Sequence, residues 1–295
     1  MTRASRNLPG SGGSAEQSVH YSERMPFTPS HIAAILPFVR TPLLPASLAI
    51  GSMVPDLPYF VPLPVERELS HSLIGVALVD LPMGIVSLLF WVLVFRAPLL
   101  DFAPAWLRRR FVLPGPWPRS PSRLALAALV VLASLIVGIA THLIWDAFTH
   151  PDGWAVLRMA PLQAQYGPFT GYRWAQYGSS AFGLLVLAAW SAVWIRKAPL
   201  RALPQSRLRA SWRLVGWIAV ASVLAAVALT IWVGGVLGGS DVFGRVVLYL
   251  TATRSIAAAG VLAVLICVAW YLLPRRRETR GDQTERSTAT TLPST

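Results

Sequence analysis

The stretch Leu124 to Phe148, LALAALVVLASLIVGIATHLIWDAF, decides the fold. From Leu124 to Thr141 it carries no charged side chain, and wound as an α-helix the whole stretch is about 37 Å long, enough to cross the ~30 Å hydrocarbon core of a bilayer. Its last turns then bring in His142 and Asp146, with His150 just beyond. Ionisable groups in or beside hydrocarbon cost about 2.5–3.5 kcal/mol each on insertion scales, so they persist where they pair or bind something. A polar site built into a membrane helix is what has to be explained.

Working outward, four further runs are long and apolar enough to cross: Ser72 to Phe95, Gly178 to Ile195, Trp212 to Leu237 and Val246 to Leu273. Hydrophobic residues make up 54% of the chain and charged ones 13%, about half the charged share of a soluble domain. The expected fold is therefore an all-α polytopic bundle of about five transmembrane helices. The net charge of +13 does not call for a nucleic-acid partner, because the arginines gather in loops between the apolar runs. Arg96, Arg108, Arg109, Arg110, Arg119 and Arg123 fall in one loop, and Arg196, Lys197, Arg201, Arg207, Arg209 and Arg213 in another. By the positive-inside rule both loops are cytoplasmic, as is the C-terminus with Arg275, Arg276 and Arg277. The loop 149–177 holds only Arg158 and Arg173, which puts it and the His142 end of the second span outside. Cys267 is the single cysteine and has no intrachain partner.

The segments at either end are of another kind. Residues 1–24 are polar and Gly/Ser-rich, without the apolar stretch of a signal peptide; disorder is expected there, His20 has no role, and Met25 reads as an alternative start because MPFTPSH opens an ordered pattern. A membrane domain follows over 25–195, then a basic loop over 196–211, two more spans over 212–273, and a polar Thr-rich tail over 274–295 that also reads as disordered. The apolar run 43–54 is short and bounded by Pro45 and Pro55. Such a run reads as a re-entrant or interfacial helix rather than a crossing, which lets His31 and Asp56 join His71 at the outer end; were 41–63 to span instead, His31 would fall on the other face and leave the group.

His142, Asp146 and His150 are spaced by four, so on a helix they drift about 40° per step and project from one stripe. A pair of ligands at i and i+4 can reach one metal ion, as in helices that hold zinc through two histidines. His150 precedes Pro151 and lies at or past the helix end. With His31, Asp56 and His71 added, the donors suffice for one closed or two open metal positions, zinc or another divalent ion. Each piece also has a plainer use. A single histidine in a membrane helix hydrogen-bonds across the bundle, and Asp56 in PDLP can open a turn. It is the combination that points to metal.

The runs MPFTPSHIAAILP, IGSMVPDLPYF, SHSLIGVALVDLP, THLIWDAFTHPDGW and QYGSS resemble a family of bacterial multi-pass membrane proteins known only as a domain of unknown function, over about Met25 to Ile195. The order of histidines and aspartates also resembles inner-membrane proteins classed as metal-dependent hydrolases and, more distantly, is similar to zinc-dependent phospholipases C and related fungal nucleases. The resemblance implies His31, Asp56, His71, His142, Asp146 and His150 as ligands and phosphoester hydrolysis as the activity. The late Glu and the N-terminal Trp ligands of those phospholipases have no counterpart, so one or two ions are expected rather than three.

Among the remaining polar residues, Asp80 lies about half a turn round the first span from His71, placing it as a partner that orients a ligand histidine or as a proton carrier. Arg158, Arg173, Gln176 and Tyr177 either clamp an anionic headgroup, since Arg matches phosphate in a forked geometry, or belong to an interfacial belt with Trp154, Tyr166, Tyr172 and Trp174. The favoured function is metal-dependent hydrolysis of a phosphoester or lipid-derived substrate at the outer face of the bacterial inner membrane, with Asp56 or Asp152 assisting proton transfer. A proton-coupled transporter using Asp80, His142 and Asp146, and a non-catalytic assembly protein, stand as alternatives.

Overall fold

A computed structural model describes residues 28–61, 65, 67–111, 120–204, 206–239, 241 and 244–274. The leader 1–24, Met25, Arg119 and the tail with Arg275, Arg276 and Arg277 lie outside the described residues. The short helices α1 (Thr28–His31), α2 (Pro45–Gly51) and α3 (Arg67–Ser70) come first, with 3-10 turns over Ile32–Phe38 and Val54–Tyr59. Next come the first span α4 (Leu73–Phe102) and the short α5 (Ala105–Arg108). The second span α6 (Pro121–Thr149) leads to a short α7 (Ala160–Gln163) and a two-stranded ribbon, β1 (Gln165–Tyr166) with β2 (Phe169–Thr170). The remaining spans are α8 (Gly171–Lys197), α9 (Ala210–Leu237) and α10 (Arg245–Leu272).

Five of these helices are long and apolar enough to cross a membrane, so the protein is an all-α multi-pass membrane protein. Several run beyond their apolar stretches. α8 begins at Gly171 rather than Gly178, because Tyr172, Trp174 and Tyr177 suit the interface and the helix need not stop where the hydrocarbon does. α4 continues past Phe95 to Phe102 through two π-helical turns, Val76–Asp80 and Trp91–Phe95. The run 43–54 folds as the seven-residue α2 with Pro45 in its first turn, too short to span, as its length and prolines predict.

Two packing groups result. α2 lies along α6 and also touches α4, while α1 and its following turn pack on α8. α9 and α10 pair with each other, and α10 joins the far end of α4. At that end Asp101 ties the chain together. Its carboxylate accepts hydrogen bonds from the indole N–H of Trp270 at 2.8 Å, the backbone N–H of Arg207 at 2.9 Å and the Ser206 hydroxyl, with Arg213 at 3.6 Å and Arg108 at 3.9 Å. The backbone N–H of Arg201 donates to the Arg109 carbonyl at 2.9 Å, so both Arg-rich loops meet at one end of the bundle. Asp101→Ala would leave these guanidiniums facing one another uncompensated. A loss of about 3–5 kcal/mol is expected, read as a lower unfolding temperature in detergent with metal content unchanged.

Candidate metal centre

The opposite end of the bundle collects the histidines. α6 presents Ser134, Gly138, His142 and Asp146 at steps of four, all buried, so the small residues and the candidate ligands share a face. α2 lies against that face, and Leu44, just before it, donates its N–H to the Ser134 hydroxyl at 2.9 Å. At the other end of α2 the Ser52 carbonyl comes to 2.9 Å from Nδ1 of His142. A carbonyl can only accept, so Nδ1 carries the proton and donates it. Nε2 of His142 then faces Asp56 Oδ1 at 3.6 Å and Asp146 Oδ2 at 3.5 Å.

His71 enters from the loop before α4. The Ser70 hydroxyl donates to the Pro55 carbonyl at 3.3 Å, so at 3.0 Å from Nδ1 of His71 it acts as acceptor, which turns Nε2 toward Asp146 Oδ2 at 3.3 Å. Asp56, in the 3-10 turn after α2, receives the Thr28 hydroxyl on Oδ2 at 2.7 Å. One donor atom from each of Asp56, His71, His142 and Asp146 thus lies within 4.8 Å of the other three. The imidazole nitrogens approach the carboxylate oxygens at 3.3–3.6 Å. These three of the six donor-to-donor separations match the edge of a tetrahedron about a zinc ion bonded to N and O at ~2.0–2.2 Å, about 3.4 Å. Two carboxylates brought this close in a buried place repel unless a positive charge, a bound cation or a protonated imidazole, lies between them. The donor set, two imidazoles and two carboxylates, suits zinc or a similar divalent ion.

His31 and His150 stand at the rim instead of within the four-atom group. The His31 ring stacks on that of His142, centroids 4.2 Å apart, with Nε2 3.6 Å from Asp146 Oδ1. Burial lowers its pKa to about 4, His142 pushes the same way, and the carboxylates of Asp146 and Asp56 oppose. The ring therefore stays neutral and able to donate a lone pair down to acid pH. His150 follows the end of α6 in extended conformation, as Pro151 predicts, yet does not swing away. Its Nδ1 lies 3.3 Å from Asp146 Oδ1 and 3.3 Å from the Thr149 hydroxyl, and its Nε2 is 3.4 Å from the Gln176 amide nitrogen. His150 thus stands beside Asp146 at the edge of the cluster, outside the four donor atoms that lie within 4.8 Å of one another.

Other expected residues fall elsewhere. Asp152 is exposed in the turn after α6 and outside the buried cluster. Arg158 lies over the Trp154 ring at 4.6 Å and donates to the Trp154 carbonyl at 3.1 Å, and Arg173 reaches the Tyr172 hydroxyl at 3.4 Å. Asp80 is fully buried, and neither carboxylate oxygen has a hydrogen-bond partner among the described residues. Asp80 thus makes no hydrogen bond to a histidine among the described residues; Ser52, Ser70 and Gln176 lie against the rings of His142, His71 and His150. Thr28, Ser52 and Ser70 were not singled out as site residues, although each lies within a few positions of a ligand in FTPSH, GSMVPD or SHS. Thr28→Val keeps shape but strips Asp56 of its donor, so metal affinity is expected to fall about 10–100-fold, measured by competition with a chromogenic chelator.

Fold and cluster define the class: a polytopic helical membrane protein with a buried His/Asp group at one end of its bundle. The chain belongs to the family described as a domain of unknown function (DUF4184), which matches residues 25–275. No curated protein and no solved structure matches it.

Proposed function

We propose that this protein is a metal-dependent hydrolase of phosphoester or lipid-derived substrates, with its centre at the outer face of the bacterial inner membrane. The observation that carries the proposal is the convergence of Asp56, His71, His142 and Asp146 donors within 4.8 Å of one another in a membrane protein, where such groups are costly unless used. His71, His142 and Asp146 would hold a zinc ion, a two-histidine, one-carboxylate set like those of known catalytic sites, and the ion would supply Lewis acidity at that point. Asp56, anchored through Oδ2 by Thr28, faces the same point with Oδ1 and is the group that takes the proton. His71 is the most open of the four, its side chain 10% exposed against 0–5% for the others, and marks the way in. The outward orientation and a cytoplasmic C-terminus rest on the Arg-rich loops gathered at the opposite end.

The test is hydrolysis of bis(p-nitrophenyl) phosphate and of phospholipid vesicles by the purified protein, with chelator and with zinc restored. Activity that disappears and returns supports the proposal; metal bound at stoichiometry without hydrolysis of either substrate sinks it in favour of a structural centre. Asp80, buried in α4 with no hydrogen-bond partner among the described residues, favours a second reading, proton-coupled transport. On that reading Asp80→Asn abolishes proton uptake in proteoliposomes, whereas on the hydrolase reading it leaves metal content and hydrolysis within about twofold, since no hydrogen bond is lost.

A further inference from the structure

On the flank of α6 facing α8 lies an apolar groove of about 440 Å³, lined by Ala34, Thr141, Ile144, Trp145, Phe148, Thr149, Ala175 and Ser179. Its volume is that of a small-molecule site, ~300–1,000 Å³. Two of its walls touch the histidines at the rim of the cluster. Trp145 packs against the ring of His31 at 5.6 Å and donates its indole N–H to Ser179 at 3.0 Å, and Thr149 lies 3.3 Å from Nδ1 of His150. Its lips, Ile144 and Phe148, are 63% and 43% exposed. Because α6 and α8 both span the membrane, these lips open onto hydrocarbon.

We infer that this groove holds one acyl chain of a membrane lipid and thereby presents the lipid's polar head to the His/Asp cluster, which makes an acylated amphiphile the substrate class. The occupant follows from position: apolar walls set between two spanning helices are filled from the bilayer, and the inner wall is the residue that touches His31. Lipid seating does not need the metal; only the assignment of that lipid as substrate rests on the proposed hydrolysis.

The experiment reconstitutes the protein in vesicles containing a phosphatidylglycerol with a diazirine midway along one acyl chain, and maps the labelled peptides after irradiation. Labelling concentrated on residues 141–149 and 175–179 is expected. Ala34→Trp, which fills the groove, should cut it about tenfold, the effect of excluding two methylenes from apolar contact. Ala175→Phe serves the same purpose should Ala34→Trp not fold, with helicity and metal content as the check. Labelling spread evenly over the lipid-facing surfaces of all spans and unchanged by either variant overturns the inference, as do cross-links from the groove to a second copy of the chain. The two proposals fail separately. Groove labelling that survives in a metal-free His142→Ala, Asp146→Ala protein leaves the seat intact whatever becomes of the chemistry. Where hydrolysis is present, Ala34→Trp should raise KM for the lipid and leave it unchanged for bis(p-nitrophenyl) phosphate; equal effects on both would remove the substrate assignment alone.

Discussion

Replacing His142 and Asp146 together by alanine is expected to abolish metal binding while leaving the helices in place. The two residues supply one imidazole and one carboxylate to the four-atom cluster, and Asp146 is also the group on which His31, His71 and His150 converge. A structural zinc site is worth about 10–16 kcal/mol, so losing two of three protein ligands should lower affinity by about 10⁴-fold or more. The protein keeps its fold because α6 is held by its long apolar surface, although the Ser52 carbonyl loses the hydrogen bond that His142 donates to it, at a cost of about 1–3 kcal/mol. Elemental analysis of wild type and double variant in detergent, beside far-ultraviolet circular dichroism, decides the matter. Equal metal content in the two proteins would remove the basis of the hydrolase proposal.

Gly138→Val should do the converse and damage the packing first. A Cβ at Gly138 would run into the Leu48 carbonyl, and would also come within 2.9 Å of the Ser52 nitrogen and 3.0 Å of the Gly51 Cα. On the other helix, a Cβ at Gly51 would meet the Leu135 carbonyl. α2 and α6 therefore touch backbone to backbone, in the manner of small-residue contacts between membrane helices. A valine there pushes α2 off by the width of a side chain at a cost of about 3 kcal/mol or more. Because α2 carries the Ser52 carbonyl that orients His142 and leads into Asp56, metal affinity is expected to drop with it, by about 10–100-fold. Gly260→Val is the control, since a Cβ there meets nothing within 4 Å. A Gly138→Val protein with wild-type unfolding temperature and metal content would show that the α2–α6 contact does not position the site.

The HxxxD spacing of His142 and Asp146 was visible in the chain because a helix converts steps of four into one face. The same face continues backward through Gly138 and Ser134, so SxxxGxxxHxxxD was available as the sign that another backbone would lie against it. Nothing comparable marks His31, Asp56 and His71 as neighbours. They are brought together only once α1, the turn after α2 and the start of α4 have packed around the end of α6.

By itself the amino-acid sequence determined that the protein is a bundle of five apolar helices, that the run 43–54 does not cross, and that its arginines gather in alternate loops. Those properties depend on hydrocarbon length and charge distribution, which are additive along the chain. Only the tertiary structure decided which donors share a point, that His150 lies beside Asp146, that Asp80 makes no hydrogen bond with the described residues, and that a groove opens beside His31. These depend on contacts of a few ångströms between segments remote in sequence, where a single backbone approach such as Gly138 on Leu48 sets the register, and no local pattern encodes that approach.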